Sequence, residues 1–254
     1  ISGSTQQFRV ESDDVILGSN AGALLDAGTD SFNVFVGTNA GAKATTGEDS
    51  VIIGKDAVSQ GTYTGTAGVY IGLESGRSAA GANYNVAVGD GALYSLTTGD
   101  NNVAIGRYAS YGVSTNSTQV HIGYNAGRAA TVNESILIGG EAGVQAGGAG
   151  NTAMGYKALR GGTGWTAITT ILKNTAVGYE ASKITTGARN TVMGYQAAVA
   201  ATSADGNVIL GCSTAATLTT GDFNIIIGDG VDIAASGDSK QLRIGSGSLN
   251  TISG

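Results

Sequence analysis

Apolar and polar residues recur along this chain as one repeated phrase. Asn174-Thr175-Ala176-Val177-Gly178-Tyr179-Glu180-Ala181 returns as Asn190-Thr191-Val192-Met193-Gly194-Tyr195-Gln196-Ala197, and stands upstream as Asn151-Thr152-Ala153-Met154-Gly155-Tyr156-Lys157-Ala158. With the glycine after the aliphatic residue as anchor, fourteen copies align from Gly18 to Gly245. Their spacing is 16 to 19 residues, except for one interval of 23 between Gly155 and Gly178. A fixed period of this kind constrains the fold class more than any other feature.

The residue before each anchor is aliphatic or Met, from Leu17 to Ile244, and the residue three before is β-branched in every copy but the last, Leu242. In an extended segment these two positions share a face. Pairs such as Val15/Leu17, Val86/Val88 and Thr175/Val177 are therefore expected to point inward from short strands. A period near 17 is too short for a helix pair or a propeller blade. It predicts an all-β fold, a parallel β-solenoid (β-roll) of about fourteen coils of ~17 residues. Alanine follows the anchor by three residues in ten copies, where a small side chain lets the coil turn close to its core. Thr-Thr-Gly at 45–47, 97–99, 185–187 and 219–221 marks a second corner. Asn151, Asn174, Asn190, Asn207 and Asn224 open consecutive strands and are expected to stack as a hydrogen-bonded amide ladder.

The middle residue of each triplet is then left pointing away from the core. It reads Ile16, Phe35, Ile52, Tyr70 and so on to Ile226, apolar or aromatic in twelve of fourteen copies. A half-exposed strand should alternate with polar residues, so this face is expected to pack against parallel copies of the chain in a closed homo-oligomer. Residues 1–14 and 239–254 are expected to be irregular coils or joins flanking the array of 15–238, with an insertion at 159–173. The first residue is Ile1, and the chain is read as a fragment or processed product of a longer protein.

Composition narrows the function. The chain has 254 residues with 43 glycines and no proline, yet its aliphatic residues recur too regularly for low complexity. Net charge is −6 with scattered basic residues, which argues against a nucleic-acid partner. No apolar run is long enough for a helical membrane span. The single Cys212 offers no disulfide within the chain and no cysteine metal site. Asp13-Asp14, Glu48-Asp49 and Asp229 with Asp232 pair with no second acidic cluster. With His121 the only histidine, no nucleophile–base set emerges. No enzyme activity, cofactor or metal is expected.

Units such as Asn85-Val86-Ala87-Val88-Gly89 and Asn102-Val103-Ala104-Ile105-Gly106 resemble the head repeats of trimeric autotransporter adhesins of the YadA type. The longer Asn-Thr-Ala-Val-Gly-Tyr-x-Ala units with Thr-Thr-Gly turns are similar to repeats of phage tail fibres and related virion appendages. The resemblance covers nearly the whole chain. It implies a left-handed β-roll in a homotrimer, an extracellular place on a virion appendage or bacterial surface, and attachment to a receptor. It departs from the adhesin pattern in its longer coils, so the host class stays open: a phage tail fibre is the first reading and a bacterial adhesin head the alternative. A polysaccharide-degrading spike enzyme would need a carboxylate-lined groove.

Candidate binding residues come from the surface positions. Tyr156, Tyr179 and Tyr195 share one position in three successive coils and are expected to stack up one side. The longest insertion, between the first two, carries Trp165, the only tryptophan. An aromatic loop beside an aromatic column on a rigid scaffold suits a receptor or glycan. Tyr63, between Thr62 and Thr64, is a second loop candidate. His121 falls on the proposed inter-chain face.

Overall fold

Runs of three β-branched or aliphatic residues, each ended by a glycine, leave room only for strands of three residues. The computed structural model forms these strands, one to a coil. It describes residues 6–11, 13–25, 32–130, 133–161, 172–182, 187–247 and 249–253. The chain divides into two compact units, Ile1–Tyr124 and Asn125–Gly254.

In the first unit, β1 (Gln6–Glu11) runs antiparallel to β2 (Asp14–Ser19), so part of the expected irregular N-terminal coil is a strand. From β2 the strands are parallel and adjacent in sequence order: β3 (Val34–Val36), β4 (Val51–Ile53), β5 (Val69–Ile71), β6 (Val86–Val88), β7 (Val103–Ile105) and β8 (Val120–Ile122). The second unit repeats the arrangement with β9 (Ile136–Ile138), β10 (Thr152–Met154), β11 (Thr175–Val177), β12 (Thr191–Met193), β13 (Val208–Leu210), β14 (Ile225–Asp229) and β15 (Leu242–Ser246). It closes on β16 (Leu249–Ser253), antiparallel to β15. Within each unit the triplets pair in register with their counterparts one coil on, as in Val86↔Val103 and Ala87↔Ala104. The fold is an all-β parallel β-solenoid of about fourteen coils.

The facing of the strands is opposite to that expected. The middle residue points inward: Ile16, Phe35, Ile52, Tyr70, Ala87, Ala104 and His121 are fully buried in the first unit, as are Leu137, Ala153, Ala176 and Ile226 in the second. The flanking pair faces out, with Leu17, Ile105, Ile136, Met154 and Met193 all exposed. The physical reason is the size of the coil. A side of three residues bounded by corners has interior room for one side chain. That space is shared with the alanine three after the anchor, such as Ala92 or Ala158, and with the residue seven after it, such as Leu96 or Val113.

The position four after the anchor also points inward and is matched in size to the strand centre. Phe35 stands opposite Gly41, where a methyl group would lie 3.0 Å from the Phe35 ring. Tyr70 faces Gly76, and Leu137 faces Gly143 in the same way. Where the strand centre is Ala87 or Ala153, this position is Leu93 or Leu159, both fully buried. In these coils the two sizes are inverse, as close packing requires, whereas Ala104 with Ser110 and Ala176 with Ser182 pair two small residues.

Two backbone devices hold the coils in register. The thirteen anchor glycines from Gly18 to Gly228 have φ between +127° and +143°, a region open essentially to glycine alone. A methyl on Gly89 would sit 2.6 Å from the Gly106 carbonyl oxygen of the next coil. The second device is the asparagine column. Asn190 and Asn207 donate their backbone N–H groups to the Oδ1 atoms of Asn174 and Asn190, at 2.8 and 2.9 Å. Asn190 Nδ2 donates to Asn174 Oδ1 at 3.1 Å and to the Ala204 carbonyl at 2.7 Å. Asn174 and Asn207 direct Nδ2 to the carbonyls of Gly187 and Gly221, which are the glycines of the Thr-Thr-Gly turns. Each buried amide therefore fastens the corner that leads into the next strand.

Candidate binding surface

The glycine anchor turns the chain so that the residue after it lies outside the coil. In the second unit this position holds Tyr156, Tyr179 and Tyr195, whose rings stack with centroids 5.3 Å apart at both steps. The separation follows from the ~4.8 Å spacing of parallel strands. Inside such a column, ring faces cover one another and leave edges and hydroxyls to solvent. The column ends at small residues: Gly140 precedes Tyr156 at this coil position, and Cys212 follows Tyr195. Lys157 lies over the Tyr156 ring at 4.7 Å, and its pKa is raised chiefly by the Tyr156 hydroxyl. Tyr195, beside exposed Cys212, is the most open of the three at 51%, against 40% for Tyr156 and 43% for Tyr179. A stacking ligand therefore has its widest access at the Tyr195 end.

Trp165 and the body of its insertion lie outside the described residues. Tyr63 is not at the surface. Its ring is fully buried, meets Tyr70 edge-on at 5.9 Å, and shares a hydrogen bond with Ser50 Oγ at 2.9 Å. It fills the coil interior because Gly47, beside the ring, leaves it space: a methyl there would lie 2.6 Å from Tyr63. Burial raises the pKa of both the Tyr63 and Tyr70 hydroxyls.

His121 is likewise inside its coil rather than on an inter-chain face. It is fully buried, with Nδ1 2.6 Å from Ser110 Oγ, and burial lowers its pKa to about 3. Among the described residues, no group of three His, Cys, Asp or Glu side chains is placed to hold a metal ion, and no helix is long and apolar enough to cross a membrane.

Two surfaces were not foreseen. The outward faces of the strands carry two aliphatic columns, Val51/Val69/Val86/Val103 beside Ile53/Ile71/Val88/Ile105 in the first unit. The first unit also has an aromatic and cationic cluster. Tyr94 and Tyr111 stack at 4.6 Å, Tyr108 meets Tyr111 edge-on at 5.2 Å, and Arg77 and Arg107 lie over Tyr94 and Tyr108. The signal for it is the spacing of 17 residues along Arg77, Tyr94 and Tyr111, which puts them in one column. A scan against protein-family models gave no match, and comparisons with curated proteins and with solved structures gave none either.

Proposed function

We propose that this chain is a structural and attachment module of a homotrimeric extracellular fibre, of the phage tail-fibre kind, and that its tyrosine column meets a glycan or protein receptor on a host cell. The observation that carries the reading is the outward aliphatic face. Apolar columns four coils long, Val51/Val69/Val86/Val103 beside Ile53/Ile71/Val88/Ile105, are costly to leave in water, and a parallel second and third copy would cover them with like residues. A fibre of this kind needs rigidity and a side surface. The coil supplies rigidity through its glycine and asparagine columns, and the aromatic column is a side surface whose composition the core does not require. The reading includes no catalysis.

Mass photometry of the purified chain tests the assembly: three-chain particles are expected, and monomers at micromolar concentration would refute it. Ile105→Lys, outward and remote from the core, should dissociate the particles while leaving the far-UV spectrum unchanged. For attachment, Tyr195→Ala and Trp165→Ala are expected to weaken adhesion to host cells without loss of assembly. Adhesion unchanged in both would remove the column from the reading.

A further inference from the structure

A groove of about 500 Å³ opens on the first unit, and no residue of the tyrosine column lines it. One wall is a polar row two positions after successive anchors. In it Asn20 Nδ2 donates to Asn39 Oδ1 at 3.0 Å, and Asn39 Nδ2 donates to Asp56 Oδ1 at 2.7 Å. The other wall is Lys43, Gln60 and Arg77. Lys43 Nζ donates to the Gln60 carbonyl at 3.2 Å, and the Gln60 side-chain oxygen, turned toward Arg77, accepts from Nη2 at 2.7 Å.

Arg77 also fixes what lies beyond the groove. Its Nη1 donates to Glu74 Oε1 at 2.6 Å and to the Tyr94 hydroxyl at 2.8 Å, with the guanidinium over the Tyr94 ring. The stacked pair Tyr94 and Tyr111 therefore continues the Lys43–Gln60–Arg77 wall.

Three properties identify the ligand class. The walls alternate planar donors and acceptors, which suits a molecule rich in hydroxyl groups. Arg77 is ion-paired with Glu74 and Asp56 with Lys55, and Lys43 Nζ is engaged by the Gln60 carbonyl, so the walls do not call for a strongly charged ligand. The rows repeat with the coil at ~4.8 Å, close to the advance of one pyranose ring along an extended glycan. The stacked Tyr94 and Tyr111 rings at the end of the row cover one another and, with Arg77 over Tyr94, present edges and hydroxyls to the hydroxyls of a sugar. We propose that this groove binds a neutral oligosaccharide lying along the coils, one sugar ring to a coil, with its terminal ring against Tyr94 and Tyr111. This goes beyond the fibre reading and uses none of the residues that reading places at a receptor.

Saturation-transfer NMR and titration calorimetry with cellohexaose, maltohexaose and mannohexaose, and with hexagalacturonate as the acidic counterpart, test the proposal. At least one neutral hexasaccharide is expected to bind. Lys43→Ala with Gln60→Ala, both at exposed positions, should weaken it at least tenfold, as should Tyr94→Ala, while Tyr179→Ala leaves it unchanged. Far-UV spectra and thermal midpoints confirm that the variants are folded, and particle mass is measured in parallel. The proposal is overturned by absence of binding to all three neutral probes, by tighter binding of hexagalacturonate, or by binding that the groove variants do not change.

Discussion

Size matching across a coil can be broken and restored with two substitutions. Leu93 is fully buried, faces the centre of β6, where Ala87 stands, and holds φ at +51°. Leu93→Gly removes a buried leucine and leaves a cavity, a loss of about 4 kcal/mol. Relief of the left-handed backbone returns about 1 kcal/mol, for a net loss of about 3. Ala87→Leu alone forces a large side chain against Leu93 and costs about 2 kcal/mol in strain. The double variant rebuilds the arrangement that Leu137 and Gly143 already adopt. It should lose only about 2 kcal/mol, against about 5 for independent sites, a coupling of about 3 kcal/mol. A repeat fold does not guarantee two-state unfolding. The assay is therefore native-state hydrogen exchange of the Val86 and Leu93 amides, which donate to the Asn102 and Ala109 carbonyls, alongside urea unfolding. Protection that falls by the sum of the single effects in the double variant would refute the matched-volume account.

Three further perturbations address the other parts of the coil. Asn190→Ala leaves the Asn207 N–H and the Ala204 carbonyl without their buried partner, and should cost about 2–4 kcal/mol by urea unfolding; a loss below ~0.5 kcal/mol would show the ladder to be incidental. Gly89→Ala places a methyl 2.6 Å from the Gly106 carbonyl oxygen, whereas at Gly81 the nearest atom would be 3.9 Å away, so circular dichroism should show the first variant misfolded and Gly81→Ala native. His121 has its pKa lowered to about 3 by burial, against ~6.5 in the unfolded chain. Between these values the unfolded chain binds the extra proton, so stability present above pH ~6.5 declines as pH falls, by about 3 kcal/mol at pH 4.5. His121→Phe with Ser110→Ala should flatten this part of the melting-temperature profile, and an unchanged profile would contradict the account.

The period, the strand triplets and their parallel register were legible because β-branched residues and glycine recur at fixed offsets. The direction of the strands was not, since both parities are apolar: Val86 and Val88 face out while Ala87 faces in. The deciding signal was the inverse size of two columns, Phe35 with Gly41, Tyr70 with Gly76, Ala87 with Leu93 and Ala153 with Leu159, and it is invisible when each column is read alone. Tyr63 was misplaced because a tyrosine between threonines looks like a loop. Only the interior space beside Gly47 shows otherwise. The Arg77, Tyr94 and Tyr111 column escaped notice because its chemistry changes from coil to coil although its spacing does not.

That last difference separates fold from function in this architecture. Positions the coil needs are nearly invariant in kind: glycine at the anchor, a small residue three beyond it, a polar residue opening the strand. The outer strand pair is aliphatic in eleven of fourteen coils, Thr152, Thr175 and Thr191 being the exceptions, yet the interior of a single chain does not require it. β-Branched residues suit the strand itself, and the homotrimer proposed above would bury their aliphatic surface. The columns one, two, five and six beyond the anchor are different, for they hold tyrosine in one stretch and asparagine, lysine, glutamine or arginine in another. The core does not impose such variation, and the receptor and glycan contacts proposed above are placed in these columns.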